Sequence, residues 1–231
     1  MNITILYEDN HILVVEKPVN VPVQADQSRE KDLLTILKED IKIRYQKPGN
    51  VYLGLVHRLD QPVGGAMVFA KTSKAASRIS DKLRRQEVYR HYVVVVRGTP
   101  KRKQGRLKHY LYKNKRENKV YTTGPGDKKG KEAILDYEVL ASREGLSLLR
   151  VQLHTGRPHQ IRVQLATSGF PIYGDQKYGQ KVNQVGQQIA LWSYQLAFQH
   201  PTKKDLNTYI SNPPNMYPWN LWRTEWEKLT L

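Results

Sequence analysis

Apolar residues in this sequence come mainly in short runs, each cut by a turn signal before it can grow. Ile3–Tyr7 and His11–Glu16 are split by Glu8-Asp9-Asn10, which predicts a β-hairpin ended by Lys17-Pro18. Val51–Val56 and Met67–Ala70 read as strands joined by the stretch HRLDQPVGG. Tyr92–Val96, rich in β-branched and aromatic residues, reads as a buried strand. Glu132–Ala141 and Leu146–His154 make a second strand pair across Ser142-Arg143-Glu144-Gly145. From Ala190 the apolar residues Trp192, Tyr194, Leu196 and Phe198 alternate, predicting a strand with one buried face, and Leu206–Ile210 suits a last strand. No run approaches the roughly 18 apolar residues of a membrane span.

Helical spacing interrupts the strands three times. Leu33, Leu37, Ile41 and Tyr45 predict a helix over 32–45 with one buried face. Thr72-Ser73 can cap a helix reaching about Gln86, with Ala76, Ile79 and Leu83 inward. Arg157–Thr167 reads as a third, with Pro158 in its first turn and Gly169 at its stop. Many short strands with a few inserted helices indicate an α+β fold. A chain of 231 residues buries about 70% of its unfolded surface, so a core is available without staples. The lack of cysteine excludes disulfides, thiolate zinc sites, iron–sulfur clusters and a cysteine nucleophile. Acidic residues stand where a signal peptide would be basic, so a cytoplasmic protein is expected. Beyond Asn212-Pro213-Pro214, Trp219, Trp222 and Trp226 form an aromatic tail expected to pack on the core.

The formal net charge is +17. Such a field concentrates polyanions and points to nucleic acid. Residues 101–131 hold twelve Lys and Arg against Glu117 and Asp127, with Tyr110, Tyr112 and Tyr121 interleaved. Basic charge neutralises phosphates and aromatic rings stack on unpaired bases, so RNA contact is expected here, at Lys113, Lys115 and Arg116 among others. This segment is also the one candidate boundary, dividing lobes of about 1–100 and 132–231.

Two stretches carry the chemistry. One is His57-Arg58-Leu59-Asp60, on a loop after a strand; the other runs from His154 through Arg157, His159 and Gln160 to Arg162. An Arg beside a carboxylate lowers its pKa, and an ionised, oriented carboxylate can act as nucleophile or base. On spacing alone an Arg–Asp pair is more often a surface ion pair or loop clamp. His154 and His159 lack the spacing of a helical zinc pair, so no metal is expected. No glycine-rich phosphate loop or G-x-S-x-G elbow occurs. Gly64-Gly65 reads as a turn needing positive φ.

These stretches resemble a known family. HRLDQPVGG is similar to the HRLDxxTSG motif of the RluA-type pseudouridine synthases. HTGRPHQIRVQLATSGFPIYGDQKYG is similar to that family's second long motif. ILYEDNHILVVEKPVNVPV matches its opening strand pair, and RHYVVVVRG the strand of its active-site tyrosine. The resemblance covers roughly residues 5–200 and implies a bent, mostly antiparallel mixed sheet in two lobes with flanking helices and a central cleft. It implies that Asp60 is the catalytic carboxylate, that Tyr92 stacks on the target base and takes part in proton transfer, and that Arg162 pairs with the aspartate. Arg58 matches the residue that fills the flipped nucleotide's place, while His57 and Leu59 hold the loop. Further RNA contacts are expected at His57, Arg157 and His159; Gly174-Asp175 and Tyr178 read as structural. The implied activity is isomerisation of uridine to pseudouridine in structured ribosomal or transfer RNA, by a monomer without cofactor.

Departures from the pattern bear on specificity. Thr-Ser-Gly is here Val63-Gly64-Gly65, losing a hydroxyl, and the His often found after QIR is Gln164. The chain starts at the catalytic region, so a single catalytic domain over 1–231 without an S4 RNA-binding domain is expected. A non-catalytic RNA-binding or RNA-folding factor that kept the fold is the alternative, and a base-flipping nuclease or glycosylase a more distant one.

Overall fold

The computed structural model describes residues 2–25, 30–222, 224–225 and 229. They divide into two units, residues 1–90 with 193–212 and residues 91–192 with 213–231. The first unit opens with the expected hairpin, β1 (Ile5–Glu8) and β2 (Ile12–Lys17), antiparallel with Tyr7 opposite Val14. The Asp9 carboxylate shapes its turn by accepting from the N–H groups of His11 (2.7 Å) and Ile12 (2.9 Å).

Asp32 caps α1 (Leu33–Arg44), its carboxylate accepting from the Thr35 N–H at 3.0 Å. Leu33, Leu37 and Ile41 are buried. The expected fourth member of the stripe, Tyr45, falls past the last turn and is 51% exposed, with Arg44 and Lys71 over its ring. Of the expected strand Val51–Val56 only β3 (Gly54–Leu55) pairs, antiparallel to β4 (Gly64–Ala70). Gly64 and Gly65 stand inside β4 rather than in a turn. Gly65 does have a positive φ (+114°), and a Cβ there would meet the Ser193 carbonyl oxygen at 2.3 Å. Thr72 caps α2 (Ser73–Arg84), which buries Ala75 and Ile79.

β5 (Tyr89–Arg97) leaves the first unit after Arg90. The basic segment then proves to be regular structure within the second unit, not a joint between lobes. It forms β6 (Gln104–Asn114), β7 (Lys119–Thr123) and the start of β8 (Lys131–Arg143). Leu111 and Val120 from this segment pack with Ala133 and Val163 in one buried cluster. Its outward positions carry the charge and mask the strand alternation. With β9 (Leu146–Leu153), the strand order here is β5-β9-β8-β6-β7, antiparallel throughout.

The third helix, α3 (Gln160–Thr167), starts three residues later than expected. His159 adopts φ +50° before it, a left-handed conformation, and the Arg157 N–H bonds the Gln160 side chain at 2.9 Å instead. Gly169 takes φ +90° just beyond the helix end, as a C-terminal stop should.

The chain returns to the first unit through β10 (Leu191–Gln199), which pairs antiparallel with β11 (Leu206–Ile210). Within that unit the order is β1-β2-β4-β10, with β3 on β4 and β11 on β10. β10 is buried on both faces, because Leu191, Ser193 and Ala197 are covered as well as the alternating aromatics. Ile12, Val14, Val68, Ile79, Leu196 and Phe198 form the core of this unit. The tail turns back into the second unit, burying Trp219 and Trp222, with Arg143 stacked 4.9 Å from the Trp222 ring centre. Trp226 lies outside the described residues. No helix among the described residues is long and apolar enough to cross a membrane.

Candidate active site

Asp60 stands in the first unit, on the loop from β3 to β4. The loop closes by a turn in which the Val63 N–H donates to the Asp60 carbonyl at 3.0 Å. Leu59 and Val63 are buried beneath it. What pins the loop is Lys17, the last residue of β2. Its ammonium is wholly buried and donates to the carbonyls of Pro18 (2.8 Å), Gln61 (2.9 Å) and Val63 (2.8 Å). An ammonium has three donors, and here each has a carbonyl. Burial pushes the Lys17 pKa down to about 7, while the Asp60 charge works the other way. A neutral amine could not satisfy all three carbonyls, which also favours the charged form. Two of these carbonyls directly follow Asp60 in the chain, so one side chain ties the end of β2 to the backbone just after the carboxylate.

The neighbours of Asp60 face different ways. Arg58 is exposed, its guanidinium donating to Gln24 at 3.3 Å. The His57 ring turns inward, and Nε2 accepts from the Val68 N–H of β4 at 3.1 Å. Burial, with the Arg90 charge, pushes the His57 pKa down to about 3, so the ring is neutral at pH 7.

Tyr92 and Arg162 lie in the second unit. Tyr92 sits near the start of β5, 6% exposed, opposite Val151 of β9. Arg162 is buried in the first turn of α3. Its Nε and Nη2 donate to the two carboxylate oxygens of Asp175 at 2.9 and 2.8 Å, a bidentate pair. Burial raises the Asp175 pKa, but the Arg162 fork and the N–H groups of Lys177 and Tyr178 outweigh it and hold the carboxyl below its usual range. Gly174 makes the turn possible: φ is +74°, and a Cβ there would meet the Gln188 carbonyl oxygen at 2.2 Å.

Tyr178 gathers several of the predicted residues. The Arg162 guanidinium lies 5.3 Å from its ring centre, and its hydroxyl is 2.6 Å from His159 Nδ1 and accepts from the Val120 N–H of β7 at 2.8 Å. Gln160 locks the preceding loop to β8 by accepting from Thr155 (2.8 Å) and donating to the Ile134 carbonyl (3.0 Å). Arg157 donates through Nε to the Glu132 carbonyl at 2.9 Å. Gln164 is fully buried and donates to the carbonyls of Leu107 and Ala133 at 3.0 and 3.1 Å, so its place in the motif is structural rather than an RNA contact. Lys113, Lys115 and Arg116 are exposed at the tip of the β6–β7 hairpin.

Lys17 is the functional residue that pattern reading missed, since nothing local marks a lysine as buried among carbonyls from residue 61 onward. Asp175 was legible as a structural residue but not as the partner of Arg162. Among the described residues no group of three His, Asp or Glu side chains is placed to hold a metal ion.

The family model for RNA pseudouridylate synthase matches residues 11–167. An uncharacterized RNA pseudouridine synthase of Aquifex aeolicus (strain VF5) is 33% identical, over 94% of this chain and 72% of its own length. Ribosomal large subunit pseudouridine synthase C of Buchnera aphidicola subsp. Baizongia pistaciae (strain Bp) is 31% identical, over 92% of this chain and 67% of its own. The chain thus spans about two thirds to three quarters of the length of these two relatives. The solved structure of human RNA Pseudouridylate Synthase Domain Containing 4 has the same fold. It superposes with a TM-score of 0.78 at 22% identity, covering 95% of this chain and 92% of that one. A pinned HRLD loop, a buried Arg162 and these likenesses lead to one conclusion: the chain belongs to the RluA-type family of RNA pseudouridine synthases.

Proposed function

We propose that this chain isomerises uridine to pseudouridine in structured ribosomal or transfer RNA, with Asp60 as the catalytic carboxylate. The observation that carries this reading is the Lys17 clamp, which holds the backbone at Gln61 and Val63, immediately after Asp60. A buried ammonium is costly unless fully bonded, and here that bonding holds a loop whose one carboxylate is Asp60. The reaction breaks N1–C1′, turns the uracil and joins C5 to C1′; the C5 proton goes to solvent and N1 regains one. No redox change occurs. Asp60 either attacks the sugar or base or assists by deprotonating the sugar.

Tyr92 stacks on the target base in this reading, and Arg162 is the third catalytic residue. The base must leave its stack, which costs a few kcal/mol. Arg58, exposed beside the Asp60 loop, fills the vacated place. Lys113, Lys115 and Arg116 grip phosphates without reading sequence, assisted by Arg157 and His159. For His57 we propose the loop-holding part rather than RNA contact, because its ring bonds inward. The enzyme works as a monomer.

Tritium release from RNA labelled at uracil C5 tests the reading. Ribosomal and transfer RNA transcripts are offered separately, with Asp60→Ala as control. Release that disappears in the variant supports the reaction and the role of Asp60. Tight binding without release from either transcript or from native assembly intermediates would make the chain a non-catalytic RNA binder, and release of free uracil would make it a glycosylase.

A further inference from the structure

The β6–β7 hairpin has two unlike faces. Leu111 and Val120 point into the second unit and are 4% and 2% exposed. Tyr112 and Tyr121 are directly opposed across the strands and occupy the other face. Each ring has a lysine over it: Lys129 stands 5.7 Å from the Tyr112 centroid and Lys119 stands 5.6 Å from that of Tyr121.

The surrounding structure presets this face. Tyr121 is 40% exposed, and its hydroxyl donates to Glu117, which also accepts from Asn114. The loop after β7 folds back over Tyr112 because Asp127 accepts from the Thr123 hydroxyl (2.6 Å) and the Lys129 N–H (2.8 Å). Gly130 fits only as glycine, since a Cβ would lie 2.7 Å from the Thr123 methyl. Lys129 is thereby brought back over Tyr112, with the exposed Lys128 next to it in the chain. Lys113, Lys115, Arg116 and Lys128 carry no ion pair among the described residues.

We propose that Tyr112 and Tyr121 form a stacking site for an unpaired nucleotide of the RNA, with Lys119, Lys128 and Lys129 holding its phosphates. The site lies apart from Asp60, Tyr92 and Arg162 in the sequence and rests on the reading of the chain as an RNA-modifying enzyme. Two rings side by side, each with a lysine ammonium over it, offer a base a flat face and its backbone a counter-charge. Lysines over exposed rings are displaced at little cost, because such contacts are weak in water. Fully paired RNA has no free base face to offer, so the site selects loops, bulges or strand ends.

The test uses the full chain and fluorescence anisotropy on two RNAs of equal length, a hairpin with an open loop and a blunt duplex. Tyr112→Thr with Tyr121→Thr keeps strand propensity but removes the rings. Loop binding is expected to weaken on the order of 10-fold or more, as loss of base stacking does, with duplex binding little changed. Tyr112→Phe with Tyr121→Phe keeps the rings and should retain loop affinity. Equal losses on loop and duplex, no loss on the loop, or an equal loss in the Phe variant would each overturn the stacking site. Ultraviolet crosslinks from the loop RNA should map to Tyr112 or Tyr121 in the unaltered protein, and their absence there would count the same way. Tritium release by the unaltered chain reports on the synthase reading separately, so either proposal can fail without the other.

Discussion

Arg162 and Asp175 are a buried pair, and the bidentate bond between them offsets much of the cost of burying both charges. Replacing Asp175 by Asn leaves the guanidinium facing a neutral amide and is expected to cost about 3 kcal/mol of stability at pH 7, read from urea unfolding. The pH dependence has a definite sign. The folded-state pKa of Asp175 is depressed, so its contribution is complete above the unfolded value near 3.9 and is lost as pH falls through the lower folded value. The gap between parent and Asp175→Asn should therefore narrow as pH drops below about 4, and a gap constant from pH 7 to pH 3 would disprove the assignment. At this scale the sequence was partly legible. Asp60 and Arg162 could be singled out because two long motifs carry them, and Tyr92 because RHYVVVVRG does. Lys17 read as a turn residue because its three acceptors include carbonyls at residues 61 and 63, and no local pattern announces a contact across so many residues.

Strands were easier to read than their ends. The opening hairpin, α2, β8 and β9 follow from local alternation, helical spacing and capping residues alone. β3 shrank to Gly54–Leu55, and α3 lost its first turn to the left-handed His159. Both depend on neighbours far away in sequence. The strand character of β6 was hidden by its own function-bearing composition, since lysine and arginine occupy its outward positions. The glycine pair shows the same limit in another form. Gly65 was read correctly as a positive-φ residue, yet its second constraint, the backbone of Ser193 pressed against it, appears only once β10 is in place. Gly65→Ala should cost several kcal/mol, because it combines a disfavoured φ with a clash against backbone that cannot rotate away. Thermal unfolding within 2 °C of the parent would show that β4 accommodates it, against a shift on the order of 4 °C per kcal/mol at most in a chain this long.

The whole molecule carries +17, and that charge is unevenly spent along the chain. Twelve of the basic residues lie in 101–131, and several at the hairpin tip have no carboxylate partner among the described residues. Neutralising Lys113, Lys115 and Arg116 together should weaken binding to all RNAs alike. It should also reduce the slope of log affinity against log salt by about 2 to 3, near the 0.7 to 0.9 expected per phosphate contact. An unchanged slope would remove these residues from the RNA interface.

The division of the chain also sets a timetable. The first unit takes up residues 1–90, breaks off at Arg90 and is finished only by Ser193–Asn212. A ribosome adding roughly 5–20 residues per second needs on the order of ten seconds to make the stretch between. Through that interval β4 has been synthesised and the strand that borders it in the finished sheet, β10, has not. An open strand edge is a template for wrong partners. The second unit, made in one stretch except for its tail, can fold while the first waits. The edge of β4 that β10 covers therefore stays without its neighbour through the middle of the chain's synthesis rather than at its end.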